Sequence, residues 1–379
     1  MVEPLPSHLR RALLLAGLAS GCGMGSAADF KARTLVFPRD FGSHPDTRTE
    51  WWYITGYASS GTIGAAGAAD AGARLFGFQI TFFRSLVDGT QDMKSSFAAK
   101  QLLFAHAAIT DVQGKKLWHD QRIGRSSGEQ DIKGAAASEK DTDIRLRDWS
   151  LVRKGGEYTA VVSGADFRLN LQFRETQPLI LQGDKGLSRK GPQPQQASFY
   201  YSKPQLAVAG SLSLKGQTMA VEPSRGVAWL DHEWSNEVLP PGAVGWDWIG
   251  MNLFDGSALT AFRLRDKSGD TVWDGGSFRH PKMSPPDRPH VFSRGEVIFQ
   301  ASRGWKSPLT QASYPVEWLV RTPADYYIVK ALVDNQELDS RSTTGAVYWE
   351  GLADLYDSNN RHVGRGYLEM TGYAKPLRM

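Results

Sequence analysis

The densest set of proton-handling groups in this chain is Asp231-His232-Glu233-Trp234. Side chains alternate along an extended strand, so His232 and Trp234 share one face, and Asp231 and Glu233 share the other. An acid and base on one wall therefore need partners from other strands. A carboxylic acid in an apolar pocket keeps its proton to higher pH than in water and can act as a general acid. Aromatic faces stabilise a neighbouring cation. Together these groups suit proton transfer beside a developing positive charge.

On this basis Asp231, His232 and Glu233 are candidate catalytic residues, with His232 orienting an acid or a water. Trp51, Trp234, Trp246 and Trp248 are the candidate cation-stabilising faces. Asp247 lies between Trp246 and Trp248 and points opposite to them, toward solvent or His232, and is a fourth catalytic candidate. Glu50 precedes three aromatics, Trp51, Trp52 and Tyr53, where a carboxylate is either capped by arginine or functional. His106, on an apolar strand, is either a satisfied core histidine or a ligand contact. With Tyr53, Tyr200, Glu350 and Tyr367, these two complete the ligand-binding candidates. A structural reading competes with all of this: the tryptophans are core, and Asp231, His232 and Glu233 tie down the interdomain linker.

Other chemistries lack their residues. The chain has no Gly-x-Ser-x-Gly elbow, no His-Glu-x-x-His, no cysteine cluster and no phosphate-binding loop. Neither a cofactor nor a metal is expected. The net charge of +4 is mild and lacks a basic helix or an aromatic-basic stripe, so nucleic acid is not an expected partner.

The elements that must position these groups read as strands. Phe167 to Arg174 (FRLNLQFR) alternates strictly, the mark of a half-buried strand. Lys267-Ser268-Gly269-Asp270 between Thr260–Arg265 and Thr271–Trp273 reads as a hairpin. Residues 58–73, 126–140 and 182–196 read as loops, and no long amphipathic helix is evident. With 39 Gly and 19 Pro among 379 residues, many short strands joined by turns are expected, in two domains. An internal repeat supports two. Glu50 to Gly56 (EWWYITG) aligns with Gly245 to Met251 (GWDWIGM), and Gly226 to Asp231 (GVAWLD) with Gly364 to Glu369 (GRGYLE). Tyr200-Tyr201 and Tyr348-Trp349 precede the two closures. First and last strands of each half are expected to pair and seal a barrel. The fold expected is all-β, two tandem lipocalin-like antiparallel barrels, over residues 29–238 and 239–379.

Longer segments carry a family likeness. They are His44-Pro45 with EWWYITG, Phe104 to Asp111 (FAHAAITD), Phe199 to Pro204 (FYYSKP), Trp229 to Ser235 (WLDHEWS), Gly245 to Trp248, Tyr348 to Gly351 and Gly366 to Tyr373 (GYLEMTGY). With them the chain resembles the hydroxyneurosporene synthase (carotenoid 1,2-hydratase, CrtC-like) and AttH superfamily over about residues 36–374. The resemblance implies lipocalin-like barrels and a hydrophobic small-molecule partner: polyene, terpenoid or lipid. It implies either a binding protein serving an ABC transporter permease or a cofactor-independent hydratase. The hydratase branch also implies a Tyr-x-Asp downstream of His232 and Trp234, with the Asp as proton donor. Here that strand reads Leu259 to Leu264 (LTAFRL), without an acid, and Glu50, Asp247 or Glu350 is left to substitute.

Arg10-Arg11 followed by Ala12 to Leu18 (ALLLAGL) is too short to span a bilayer and reads as a signal peptide within residues 1–28. Ala19-Ser20-Gly21-Cys22 resembles a lipobox, and Cys22 is the single cysteine, so an exported, periplasmic or lipid-anchored protein is expected, lipidated at Cys22. If His232 lines a junction pocket, His232→Ala should weaken ligand binding and leave the melting temperature within a few degrees.

Overall fold

The computed structural model describes residues 32–377 apart from 61–72, 94–97, 127–133, 238, 284 and 286–287. Residues 1–28, with Cys22, lie outside the described residues, as does most of the first expected loop. The described residues are all-β, with two short 3-10 turns and two antiparallel sheets, one of 14 strands and one of 10. Among the described residues no helix is long and apolar enough to cross a membrane.

The strands form where the sequence alternates. Phe167–Arg174 buries its four apolar side chains and exposes the four between them. Ala258–Arg265 and Thr271–Arg279 make the expected hairpin, with Gly269 at φ 89 in the turn, where a left-handed backbone favours glycine. Three loop assignments are shorter than expected. Ala58 and Ser59 extend the opening strand, Ala135–Ala137 pairs as a strand inside residues 126–140, and Leu187–Arg189 pairs inside residues 182–196. In each case neighbouring strands supply hydrogen-bond partners that low-complexity composition does not reveal.

In the first sheet the opening strand, Thr49–Ser59, pairs along its length with the closing strand, Gly226–Ser235. The sheet curls until its edge strands nearly meet: a Cβ added to Gly124 on one edge would lie 2.9 Å from Cβ of Ala135 on the other. In the second sheet Gly245–Leu253 pairs with His362–Met370 in the same way. Opening and closing strands therefore meet in both halves, as the repeat implies.

Among the described residues three large apolar cores result, beside a small one of Ala108, Leu338 and Tyr348. One fills the interior of the first sheet and includes Trp52, Tyr201, Leu230 and Trp234. One fills the second and includes Trp318, Trp349, Leu368 and Met370. The third lies between the sheets and draws on both, with Tyr53, Trp229, Trp248, Phe262 and Tyr367. It exists because the paired opening and closing strands are apolar on both faces, so their outer faces must be covered too. The sheets approach so closely there that a Cβ on Gly77 would lie 2.8 Å from the Tyr367 hydroxyl.

Candidate functional site

Strand alternation sorts the candidate residues into three places. On the closing strand of the first sheet, His232 and Trp234 point into that sheet's interior, while Asp231 and Glu233 point outward to the junction. The corresponding strand of the second sheet sends Leu368 and Met370 inward and Tyr367 and Glu369 outward.

The junction holds a partly open cavity between the two sheets. Its walls are the outward residues of the repeated strands. Trp51 and Tyr53 face it from one opening strand, and Trp246 and Trp248 from the other. These pairs are the equivalent positions of the repeat, so the cavity has an approximate internal two-fold. Phe83, Phe262 and Leu264 add apolar surface, and a Cβ on Gly250 would strike the Trp248 ring at 2.3 Å.

Five carboxyls line this aromatic space: Asp231, Glu233, Glu237, Glu350 and Glu369. Asp231 accepts hydrogen bonds from Ser202 Oγ (2.5 Å), Trp229 Nε1 (2.7 Å) and the Tyr200 hydroxyl (2.8 Å). Burial raises it to about 7 despite these donors, and Glu233 adds to the rise. Glu233 is held by Ser198 and by an ion pair with Lys190 at 2.9 Å. The Lys190 ammonium also sits 4.3 Å from the centre of the Phe262 ring, a cation–π contact.

Glu350 and Glu369 differ: among the described residues neither has a cation paired with it. They are directly opposite each other on neighbouring antiparallel strands. Glu350 is 2% exposed, and its Oε1 has no hydrogen-bond partner. Burial pushes its pKa well above the usual carboxyl range, and Glu369 pushes further; Tyr53 lies near enough to oppose this but outside hydrogen-bonding geometry. Burial raises Glu369 as well, against a hydrogen bond from Trp246, with Asp231 and Glu233 adding to the rise. Two such carboxyls cannot both ionise readily, so the pair retains a proton near neutral pH.

His232, Glu50 and Trp234 belong to a different network inside the first sheet and do not line the cavity. Glu50, 0% exposed, accepts from His44 Nδ1 (2.7 Å), His232 Nε2 (2.8 Å), Arg84 Nε (2.8 Å) and Ser43 Oγ (3.0 Å). These partners hold its carboxyl well below the usual range against the cost of burial. His44 also meets Asp40 at 2.9 Å and stacks on Trp234 at 3.7 Å; its two carboxylates raise its pKa against burial. Burial lowers His232 to about 4, so its ring is neutral.

Among the described residues His44, Glu50 and His232 are the one group spaced to bind a metal. Both Glu50 oxygens and both nitrogens of each ring are already hydrogen-bonded, and Arg84 brings its own charge. The group is a satisfied ionic cluster with no vacant donor. Asp247 is likewise committed. It faces the second sheet's interior and pairs with Arg263 at 2.7 Å and with the Tyr373 hydroxyl at 2.9 Å.

His106 sits at the edge of the junction, its Nδ1 2.7 Å from the Tyr348 hydroxyl. Tyr200 and Tyr348, equivalent in the repeat, both line the cavity. Tyr367 packs in the junction core beside it. Of the three acids available to replace the missing Tyr-x-Asp carboxyl, Glu50 and Asp247 are ion-paired, and Glu350 alone faces the cavity without a cation. The strand that lacks the acid instead contributes Phe262 and Leu264 to the wall. Glu369 was not among the sequence candidates, although the repeat places it at the position of Asp231. Lys190 and Ser202, on other strands and loops, had no signal.

An AttH-like family profile matches residues 29–373. The chain belongs to the AttH-like family. A crystal structure of an AttH-type protein from Nitrosomonas europaea is 42% identical, with a TM-score of 0.80, covering 91% of this chain and 99% of that one. Kievitone hydratase from Nectria haematococca shares the fold at 13% identity and a TM-score of 0.67, covering 93% and 95%. CghA shares it at 12% and 0.52, covering 90% and 94%. No curated protein sequence matches the chain.

Proposed function

We propose that this AttH-like protein holds an apolar ligand (a polyene, terpenoid or lipid) in the junction cavity and adds water across one of its C=C bonds by acid catalysis. The observation that carries the proposal is the Glu350–Glu369 pair, two opposed carboxyls without a cation in an aromatic cavity. The neutral carboxyl of the pair gives its proton to one alkene carbon, forming a C–H bond and leaving a carbocation. The faces of Trp51, Trp246 and Trp248 stabilise that cation. Water then forms the C–O bond, and its surplus proton passes to a carboxylate, with Asp231 near neutrality suited to receive it. One neighbour that shares the fold is named a hydratase, kievitone hydratase, which agrees with this reading at the level of fold.

A second reading, binding without chemistry, is favoured by the strand from Leu259 to Leu264, which lacks the acid that the resemblance implies and gives Phe262 and Leu264 to the cavity wall. In it an exported protein, lipid-anchored at Cys22, presents the ligand to an ABC transporter permease. One experiment separates the two. Protein purified from its host's membranes is examined by native mass spectrometry, and the ligand is extracted and incubated with fresh protein in 18O-labelled water. Label in the product, lost in Glu350→Gln and Glu369→Gln, supports the hydratase. A bound ligand recovered unchanged supports the carrier, and an empty cavity removes both.

A further inference from the structure

The route by which Tyr348 is held at the cavity has a fixed direction. Gln121 donates through Nε2 to the backbone carbonyl of Asp339 at 3.0 Å, which leaves its Oε1 as an acceptor. Thr343 Oγ1 lies 2.6 Å from that Oε1 and 3.2 Å from the carbonyl of Ser340. Both neighbours only accept, so the single hydroxyl hydrogen of Thr343 goes to one of them. Toward His106 Nε2, 2.9 Å away, Thr343 therefore presents a lone pair, and Nε2 must carry the hydrogen. A neutral imidazole has one N–H, so His106 Nδ1 accepts, and the Tyr348 hydroxyl donates to it at 2.7 Å. His106 is 1% exposed, and burial keeps it neutral by lowering its pKa to about 3.

The consequence lies at the other end. With its hydrogen given to His106, the Tyr348 oxygen has only a lone pair to offer the cavity. Its repeat equivalent, Tyr200, donates to Asp231 and accepts from Trp248 Nε1 at 3.3 Å, so both its functions are occupied. Among the described residues, no protein donor is within hydrogen-bonding reach of the Tyr348 oxygen.

We infer that His106 is a positioning residue that fixes Tyr348 as a hydrogen-bond acceptor, making the cavity selective for an apolar ligand that carries a hydroxyl group. This rests on the ligand reading above. It predicts that an alcohol is preferred to an ether of the same skeleton, because only the alcohol can donate. A lost hydrogen bond in a buried site costs about 1.4 kcal/mol or more, a tenfold preference.

The test uses farnesol and farnesyl methyl ether as probes, with binding to the full chain read by quenching of tryptophan fluorescence. Farnesol should bind about tenfold more tightly than the ether. Tyr348→Phe and His106→Leu should reduce the ratio to near one. His106→Asn, whose side-chain oxygen can replace Nδ1 as acceptor, should restore part of it. Equal binding of both probes to the unaltered protein overturns the inference alone, and so does full preference in His106→Leu. Binding of neither probe overturns the ligand reading together with it. A measurement that needs no variant is the 15N NMR spectrum of histidine-labelled protein. Protonation of His106 at Nε2 supports the hydrogen-bond direction, and protonation at Nδ1 overturns it.

Discussion

The chain buries acids in two places and treats them oppositely. Inside the first sheet, Glu50 and Asp40 are surrounded by Arg84, His44 and several neutral donors, and every oxygen of Glu50 is satisfied. At the junction, Glu350 and Glu369 face each other with no cation, and one carboxyl oxygen has no partner at all. Glu50 and Glu350 are both buried, and Glu369 is half-buried. The difference is compensation: a buried charge with its partners is structural, whereas a buried acid without them keeps its proton and stays reactive. The comparison separates a cluster that holds the fold from one that stores a proton.

Breaking the compensated cluster should have the largest effect. Arg84→Leu takes the arginine from buried Glu50 and leaves His44 as its one charged partner, and should lower stability by about 3–5 kcal/mol in denaturant unfolding. The loss should ease as pH falls below the ordinary carboxyl range, because Glu50 can then protonate. In the unaltered protein the sign follows from its lowered pKa. The contribution of Glu50 is present above about 4.5, its ordinary value, and lost as pH falls through its lower folded value. A stability curve that stays flat on acidification would contradict this account.

The junction pair should behave in reverse. Its raised pKa values mean that stability is full below about 4.5 and declines as pH rises toward and past neutrality. Glu350→Gln should therefore stabilise the protein measurably at pH 8 and change little at pH 4. The same substitution should abolish any hydration activity. Greater stability joined to lost function is the expected mark of a site kept strained for its chemistry, and a destabilised Glu350→Gln at pH 8 would argue against it.

His232 sharpens the comparison. The sequence places it beside the acids as a candidate catalyst, but the structure stacks it on Trp52 at 4.6 Å within the compensated cluster. His232→Ala should cost about 2–4 kcal/mol through its lost packing and hydrogen bonds, and leave probe affinity in the junction within about twofold, a change of less than half a kcal/mol. The smallest effect is expected at the wall. Phe262→Leu keeps the cavity apolar and removes the ring under Lys190. It should weaken probe binding several-fold, by roughly 1 kcal/mol, in the fluorescence titration without changing the alcohol-to-ether ratio.

Much of this was legible in the residues. Period-two alternation in FRLNLQFR is enough to define a half-buried strand, because side-chain direction in a strand is a local property. The repeat of EWWYITG in GWDWIGM, and of GVAWLD in GRGYLE, anticipates that opening and closing strands pair in each half. It also puts Trp51 with Trp246 and Asp231 with Glu369. Alternation even separated Asp231 and Glu233 from His232 and Trp234. What it could not say is which face meets the other sheet, since both faces of these strands are apolar enough to be buried. That choice depends on contacts between residues nearly two hundred positions apart, such as His232 with Glu50, and it decides which acids receive cations. Local sequence determined the strands, their order and the equivalence of the two halves. Only the tertiary structure decided that Glu50 is neutralised by Arg84, which faces it across the first sheet, while Glu350 at the junction is left to keep its proton, because charge compensation is set by distance in space and not by distance along the chain.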